Sequence, residues 1–263
     1  MSAAHAFVVP AYGESPYLAA CLDSLLAQSV PSVIRVATST PNAHVEDACR
    51  SRQVDLVVHS PSRGIGPDWN FALDCTDAPL VTLAHQDDVY APGDVARILE
   101  MHQRHPGAGL FFCESHELDG EGRRRPVSRV LAVKRALARA AFIGTDAVGG
   151  GLRLRLLLGL GNAIACPTVT INREALGGFR FREDLRTNMD WFAWLDAARR
   201  APVCYAPDAL VGHRVHEQSE TSRCIEDGSR RREDEMVFRE FWPAPAAMLL
   251  SRVYRIGYEA PPK

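Results

Sequence analysis

Two adjacent carboxylates are the residues of this sequence best suited to chemistry. Asp87 and Asp88 directly follow residues 80–84, an uncharged apolar run that is typical of a buried parallel strand. Carboxylate oxygens at a strand end are the hard ligands that Mg²⁺ or Mn²⁺ prefers. A metal bound there would neutralise a diphosphate and stabilise the charge on a leaving nucleotide. The alternative is a plain surface turn before Pro92, because adjacent aspartates are common in turns.

The elements around this pair predict an α/β fold. Short apolar runs predict strands at residues 7–9, 33–37, 56–58 and 80–84. Amphipathic segments predict helices after Ser15, which is a candidate N-cap, and at residues 44–52 and 67–73. The order of these elements is βαβαβαβ, which is typical of a parallel sheet covered on both faces.

A sheet of this kind predicts where a ligand would bind. Open parallel sheets bind ligands in the crevice at the carboxyl ends of their strands. The loops that leave the four predicted strands are residues 10–14, 38–42, 60–66 and 85–90. These loops are therefore the first candidates for a binding site, and the two aspartates lie in the last of them.

The second half of the chain is less regular. Its periodicity predicts helices at residues 95–102, 129–141 and 190–198. Strands are predicted at residues 109–113, 163–172 and 203–205. Pro167 interrupts the second of these strands and indicates a sheet edge or a bend.

Charge and cysteine content exclude several classes of protein. The chain has 263 residues and a formal charge of -2, so no overall field favours nucleic acid. Seven cysteines show neither zinc-binding spacing nor a disulfide framework, which indicates reduced thiols in a cytosol. No export signal precedes the first strand, and the most apolar stretch, residues 156–166, is shorter than the roughly 20 residues of a membrane span. We expect a soluble, cytoplasmic protein without a transmembrane segment.

Two arginine runs allow a further possibility about location. Arg123 to Arg125 and Arg230 to Arg232 could grip a diphosphate or rest on an anionic lipid surface, which would make the protein peripheral to a membrane. More commonly, runs of this kind are simply solvated.

Five motifs, taken in order, resemble the family 2 glycosyltransferases of the GT-A fold. They are residues 8–14 (VVPAYGE), 64–73 with Asn70, 85–92 (HQDDVYAP), 189–194 (MDWFAW) and 213–221 (HRVHEQSET). Each motif is weak alone, but their order and spacing together are specific, and the likeness spans about residues 7–222.

The resemblance implies a fold and a domain organisation. It implies a Rossmann-like nucleotide-binding fold with a mixed, mostly parallel central sheet. Residues 1–222 would form the GT-A domain, with a nucleotide-binding half at residues 1–104 and an acceptor-binding half at residues 105–222. Residues 223–263 would form a helical C-terminal extension.

The resemblance also assigns roles. Asp87 matches the metal-binding aspartate of the D-x-D motif, Asp88 would support the diphosphate or the donor sugar, and His216 would contact the metal or the pyrophosphate. Asp190 matches the general base, which takes a proton from an acceptor hydroxyl. The remaining donor-binding candidates are Pro10, Ala11, Tyr12, Glu14, Thr38, Asn70, His85 and Gln86.

Simpler interpretations stay open for several of these residues. Asp190 could instead cap the helix that follows it, or do both. His216 could be a solvated loop histidine. Trp191 and Trp194 lie three residues apart, so they could stack on a sugar, although such pairs more commonly pack in a core.

The sequence departs from the family pattern at two places. His85 stands where many relatives have the first aspartate of D-x-D, which leaves the preference between Mn²⁺ and Mg²⁺ open. Thr38, Ser39 and Thr40 stand where many relatives have an aspartate that reads the base. The donor could therefore be a UDP, dTDP or GDP sugar.

Taken together, the sequence predicts an inverting, metal-dependent glycosyltransferase that moves a sugar from a nucleoside diphosphate to an acceptor hydroxyl. The acceptor belongs to an unknown class, and an oligomer is possible. One alternative is a protein that binds nucleotide sugars without turnover. Another is a sugar nucleotidyltransferase, which normally has a glycine-rich basic loop after its first strand, and residues 10–14 do not provide one.

Overall fold

The structure is a computed structural model that describes residues 3–216 and 229–259. Within these residues a nine-stranded mixed sheet is covered by helices. The strands are β1 (His5–Ala11), β2 (Val33–Thr38), β3 (Asp55–Val58), β4 (Leu80–Leu83), β5 (Val89–Tyr90), β6 (Leu110–Leu118), β7 (Ala147–Val148), β8 (Val169–Asn172) and β9 (Val203–Arg214). The helices are α1 (Leu18–Leu26), α2 (Ala43–Arg50), α3 (Ile65–Asp74), α4 (Asp94–Arg104), α5 (Arg129–Ala141), α6 (Gly151–Leu158), α7 (Met189–Arg200), α8 (Ser229–Arg239) and α9 (Ala244–Glu259).

The strand order places the predicted binding crevice at the centre of the sheet. The order is β3-β2-β1-β4-β8-β6-β9-β5, and β7 pairs with β9. Strand β1 runs parallel to both β2 and β4, whereas β8 is antiparallel to its neighbours β4 and β6. Because β6 and β9 again run in the direction of β1, the sheet is mixed and mostly parallel, as predicted. The loops after β1, β2 and β4 therefore leave the same edge.

Apolar side chains fill both faces of this sheet. Phe7, Leu22 and neighbouring side chains from α1, α2 and α4 form the core on one face. On the other face Trp191 and Trp194 are fully buried, which shows that both tryptophans pack in the core. Phe238 of α8 packs its ring edge to face against Trp191, with ring centroids 5.2 Å apart. The C-terminal helices thus complete the core on which α7 lies.

Two strands of the second half differ from the prediction. The strand predicted at residues 163–172 is limited to β8, because residues 166–168 form a short 3₁₀ turn around Pro167, which cannot donate to a sheet ladder. Strand β9 continues to Arg214 rather than ending at residue 205. The pairing of β9 with β6 shifts register on either side of Glu114. The irregular stretch of β9 around Pro207 therefore forms a bulge, and the two strands stay paired beyond it.

None of the described helices combines the length and the apolar character that a membrane span requires.

A buried carboxyl group in α4 makes stability depend on pH. Asp94 is only 3% exposed, and among the described side chains its one hydrogen-bond partner is the Cys113 thiol, with Sγ 3.9 Å from Oδ1. Burial raises the pKa of Asp94 to about 7 from its ordinary value of 3.8, while the Cys113 contact acts weakly in the opposite direction. Between these two pH values the unfolded chain releases a proton that the folded protein keeps. The free energy of unfolding therefore falls as the pH rises from about 4 to about 7.

Asp94→Asn should remove this pH-dependent loss of stability, because the amide has a similar shape and no charge. We expect the variant to gain about 3 kcal/mol in free energy of unfolding at pH 8 relative to its effect at pH 5. Urea unfolding at both pH values measures the difference, with the exposed Asp55→Asn as the control. An Asp94 variant whose effect is the same at both pH values would contradict the assignment.

Candidate active site

The loops that follow β1, β2 and β4 are fastened to one another at the carboxyl edge of the sheet. The Gln86 side chain pairs with the Tyr12 backbone, accepting from its N–H and donating to its carbonyl, both at 3.1 Å. Thr40 Oγ1 accepts from the Gly13 N–H at 2.8 Å, and Gly13 has a φ of +62°, a conformation that favours glycine. The predicted crevice is thus built by side chain to backbone contacts, one of them from the predicted donor-binding residue Gln86.

Asp87 and His216, the two predicted metal ligands, lie together in this crevice. The Nε2 atom of His216 is 3.3 Å from Oδ2 of Asp87, and the imidazole lies against the Tyr17 ring with centroids 5.3 Å apart. The other oxygen, Oδ1, accepts a short hydrogen bond from the Ser15 hydroxyl. The Ser15 oxygen also accepts from the Tyr17 N–H at 3.4 Å in the turn that leads into α1, whereas the N-cap position of the helix itself is Tyr17 and carries no side-chain cap. Residues 217–221, the end of the same motif, lie outside the described residues.

Asp88 has a different environment from its neighbour. It is 1% exposed, and its carboxylate accepts from His213 Nδ1 at 3.1 Å and from the Arg214 N–H at 2.8 Å. Burial acts to raise the pKa of Asp88, but the charge and hydrogen bonds of His213, with the Arg214 N–H, outweigh it and lower the pKa. Burial likewise acts to lower the pKa of His213, yet Asp88 raises it. The predicted contact of Asp88 with the donor stays a prediction, and the observed contacts join β4 to the end of β9.

Arg214 is a structural residue of the site to which sequence reasoning gave no role. Its Nε donates to the Asp87 carbonyl at 2.9 Å and its Nη1 to the Asp119 carbonyl at 2.8 Å. The guanidinium also stacks on the Tyr17 ring, with Cζ 4.3 Å from the ring centroid. The buried Arg214 side chain therefore supports the loop that carries Asp87. The R-x-H spacing of the late motif was its only signal.

Asp190, the predicted general base, lies in the first turn of α7. Its Oδ1 accepts from the Trp191 N–H at 2.7 Å and its Oδ2 from the Asn162 side chain at 3.0 Å. Helix α7 begins at Met189 with Asn188 as its N-cap and has no side-chain cap, so Asp190 lies inside the first turn and not at the cap position, and its role as base stays a prediction. Burial raises the pKa of Asp190 although the Trp191 N–H, Lys134, Arg230 and Asn162 all act to lower it. A raised pKa suits a carboxylate that must accept a proton near neutral pH.

Asp190 and Asp88 both act on the thiol of Cys166. Burial raises the pKa of this thiol, and the negative charges of Asp190 and Asp88 raise it further. The predicted base and Asp88 therefore lie within electrostatic reach of the same sulfur.

The loop that leads into α7 is held by two buried carboxylates of α8. Glu233 accepts from three successive backbone N–H groups, those of residues 186, 187 and 188, at 2.8, 3.0 and 2.9 Å. Asp234 accepts from the Asn188 side chain at 2.7 Å. These contacts fix the start of α7 and with it Asp190. Sequence reasoning missed them because the pair lies in a charged tail with no motif of its own.

A carboxylate also lies at the end of β2, although the sequence there has none. Asp68, on α3, accepts from the Ser39 hydroxyl at 2.7 Å and the Ser62 hydroxyl at 3.0 Å, both through Oδ2. Its Oδ1 is buried and has no hydrogen-bond partner among the described residues. The predicted donor-binding residue Thr38 is buried beside it, with its hydroxyl accepting from the Thr40 N–H at 3.1 Å. Sequence reasoning sought an acidic group only on β2 and therefore missed Asp68.

The other predicted donor-binding residues differ in their exposure and in their hydrogen bonding. Asn70 is buried and hydrogen-bonded to the backbone of Phe181 in both directions, at 2.9 and 2.8 Å, so it fastens that loop to α3. The His85 ring lies against Trp69, with centroids 5.4 Å apart, and its Nε2 is buried without a hydrogen-bond partner in the described part of the chain. Glu14 is exposed, and the remaining two, Pro10 and Ala11, end strand β1. Their roles in donor binding stay predictions.

The chemistry of this crevice fits a divalent metal that a diphosphate completes. Among the described residues, no three His, Cys, Asp or Glu side chains converge into a ready metal cage. Asp87 and His216 nevertheless present a carboxylate and an imidazole to the same space. Mg²⁺ in nucleotide sites commonly takes one or two protein carboxylates and fills its remaining positions with phosphate oxygens and water. Two protein ligands are therefore enough for a metal that arrives with its substrate.

Known proteins show the same architecture. S. aureus TarS 1-349 in complex with UDP-GlcNAc superposes with a TM-score of 0.66 at 17% identity, over 95% of this chain and 71% of that one. The mannosyltransferase PcManGT from Pyrobaculum calidifontis, in complex with GDP-Man and Mn²⁺, gives 0.65 at 17% identity, over 99% and 71%. This chain covers 44% of the longer S. aureus TarS structure. At these identities the likeness shows the GT-A fold alone.

The family of this chain is shown by sequence comparison rather than by the solved structures. No curated protein matches the chain. The sequence profile of glycosyl transferase family 2 matches residues 6–176, which is more than half of the 263 residues. The chain belongs to glycosyl transferase family 2.

Proposed function

We propose that this glycosyltransferase moves a sugar from a nucleoside diphosphate to an acceptor hydroxyl, with inversion at the anomeric carbon and with the help of Mn²⁺ or Mg²⁺. The observation that carries the proposal is the pairing of Asp87 with His216 at 3.3 Å at the carboxyl edge of the sheet, with Asp190 and Asp88 both within electrostatic reach of the Cys166 sulfur. A base and a metal-binding carboxylate on either side of one space are what a single displacement requires. TarS and PcManGT, which share the fold, were solved with UDP-GlcNAc and with GDP-Man and Mn²⁺.

The residues of the chain then have separate tasks in the reaction. Asp190 accepts the proton of the acceptor hydroxyl while that oxygen bonds to the anomeric carbon. The bond from this carbon to the diphosphate breaks, and its electron pair leaves with the nucleoside diphosphate. A divalent metal held by Asp87 and His216 would supply Lewis-acid stabilisation of that leaving group. Arg214 and Glu233 keep the two carboxylates in place.

Asp68 supports a proposal about the donor base. A carboxylate accepts hydrogen bonds and cannot donate them when ionised. Uracil, thymine and guanine carry a ring N–H that a carboxylate can accept, whereas adenine and cytosine present a bare ring nitrogen at the corresponding edge. We therefore assign Asp68 the task of the missing β2 aspartate and expect UDP, dTDP or GDP sugars as donors.

A thermal-shift panel tests the donor. We expect UDP, dTDP or GDP to raise the melting temperature of the wild-type chain, more strongly with Mn²⁺ than without it. Saturation at about 100 times Kd corresponds to about 2.7 kcal/mol of stabilisation. Asp68→Asn should remove the preference over ADP and CDP, whereas Asp74→Asn, an exposed carboxylate on the same helix, should keep it. Equal stabilisation of the wild-type chain by all five nucleotides would contradict the role of Asp68.

The cysteines support a proposal about location. All six cysteines among the described residues are free, and five of them are buried. Unpaired thiols in this number are typical of a reducing compartment, so we propose that the protein works in the cytoplasm.

A further inference from the structure

Three helices of the second half carry an unusual charge composition. Helices α5, α6 and α9 contain four, two and two basic residues, and their single acidic residue is Glu259. The whole chain has a formal charge of -2, so positive charge is concentrated on these helices. Four of the arginines are exposed and make no ion pair with any described carboxylate: Arg129, Arg153, Arg155 and Arg252. Their charge is therefore available to a partner.

The same helices expose large aliphatic side chains. Leu152 of α6 is 74% exposed, Ile256 of α9 is 69% exposed and Val133 of α5 is 58% exposed. On α9 the exposed residues Leu249, Val253 and Ile256 recur at intervals of four and three, which places them on one side of the helix. Single exposed apolar residues are normal, but a group of them marks an interaction site.

These residues form one continuous surface because the three helices are neighbours. Helix α5 packs against both α6 and α9. Val130 on α5 lies beside Gly257 on α9, where an added Cβ would meet its Cγ2 at 3.7 Å. At the other end, Arg153 of α6 donates to the carbonyls of Ala141 and Ile143 at 2.8 and 3.0 Å. We call the exposed sides of α5, α6 and α9 the basic apolar face.

We propose that the basic apolar face binds the surface of an anionic lipid bilayer. Aliphatic side chains beside arginines, without acidic residues among them, are what an interfacial helix presents to acyl chains and anionic headgroups. A second copy of the chain fits less well, because a twofold contact would bring the same arginines against each other. Nucleic acid fits less well too, since leucine, isoleucine and valine offer its bases no aromatic platform.

Helix α5 connects this face to the crevice, and the connection indicates a class of acceptor. Arg135 and Arg139 tie the helix to the buried Glu114 at 3.1 and 2.8 Å. Lys134, the residue before Arg135, is half-buried and lies within electrostatic reach of Asp190. The hydroxyl of Ser128, the N-cap of α5, donates to Glu117 at 2.7 Å, and Glu117 lies opposite His213 in the sheet, so the start of α5 lies beside the Asp88 side of the crevice. On the basis of the proposed function, we infer that the acceptor hydroxyl belongs to a membrane-anchored molecule.

Co-sedimentation of the full chain with vesicles tests the surface directly. We expect binding to phosphatidylcholine vesicles that contain phosphatidylglycerol, none to phosphatidylcholine alone, and weaker binding as salt rises. One arginine near an anionic leaflet contributes about fivefold to binding, so Arg153→Glu with Arg252→Glu should weaken it by at least about tenfold. Leu249→Ser with Ile256→Ser should weaken it similarly. All four residues are exposed, so unchanged melting temperatures would show that the variants fold.

Leu26→Ser and Arg50→Glu are the matched controls, because both residues are exposed on helices of the other half of the chain. The proposal is overturned if anionic vesicles do not bind the wild-type chain, or if the controls lose as much binding as the face variants. It is also overturned if the chain is a dimer that Leu249→Ser with Ile256→Ser splits and that does not bind vesicles. Sedimentation needs no sugar donor, so its failure leaves the proposed transfer reaction intact, and failure of transfer leaves the binding result intact.

Discussion

Asp190→Asn is expected to lower the rate of sugar transfer by about 10²–10⁴-fold, the usual contribution of a general base. The amide has the shape of the carboxylate, and its oxygen can still accept from the Trp191 N–H. The fold and the affinity for the nucleoside diphosphate should therefore change little. The rate of nucleoside diphosphate release in the presence of acceptor measures the effect.

Asp196→Asn on the same helix is the control for this substitution. Asp196 is exposed and makes one long contact of 3.9 Å with Arg200, so the variant should keep full activity. If Asp190→Asn also keeps full activity while its melting temperature is unchanged, the assigned base is wrong.

Asp87 and Asp88 are adjacent in sequence, but we expect their substitutions to have opposite consequences. Asp87→Asn should lower transfer by about 10³-fold, because Lewis-acid stabilisation is worth several kcal/mol. It should also abolish the effect of Mn²⁺ on nucleotide binding. Its carboxylate is partly exposed, so the free energy of unfolding should change by less than about 1 kcal/mol.

Asp88→Asn should instead destabilise the fold. The substitution removes the charge that faces the half-exposed His213 and keeps one oxygen that can accept from the Arg214 N–H, a loss that typically costs about 1–3 kcal/mol. Urea unfolding of both variants separates the two roles. A strongly destabilised Asp87 variant beside a stable Asp88 variant would contradict the assignment.

The parts of this site that the sequence predicted are those that depend on local patterns. An uncharged run followed by two aspartates is sufficient to predict β4 and the loop after it, because burial on both faces leaves a plain apolar signature. The order of strands and helices likewise predicts the parallel half of the sheet. The pairing of Asp87 with His216 could be predicted only from the family resemblance, since 129 residues separate them.

The parts that the sequence did not predict depend on contacts between distant segments. The carboxylate beside β2 comes from α3, and only the Ser39–Asp68 hydrogen bond reveals that it lies there. Glu233 holds the backbone just before Asp190, although it lies on a helix about 45 residues further along the chain. No periodicity or motif encodes either contact. The strand predicted at residues 203–205 continues to Arg214, because the irregular pairing around Glu114 lets β9 reach the site.

A crystal structure of the chain grown with Mn²⁺ and the nucleoside diphosphate that gives the largest thermal shift tests the proposed reaction most directly. We expect an anomalous manganese peak bonded to the Asp87 carboxylate, with the diphosphate on the far side of the metal and Asp190 facing the position of the donor sugar. A diphosphate bound elsewhere, or manganese absent from Asp87 while the nucleotide is present, would contradict it.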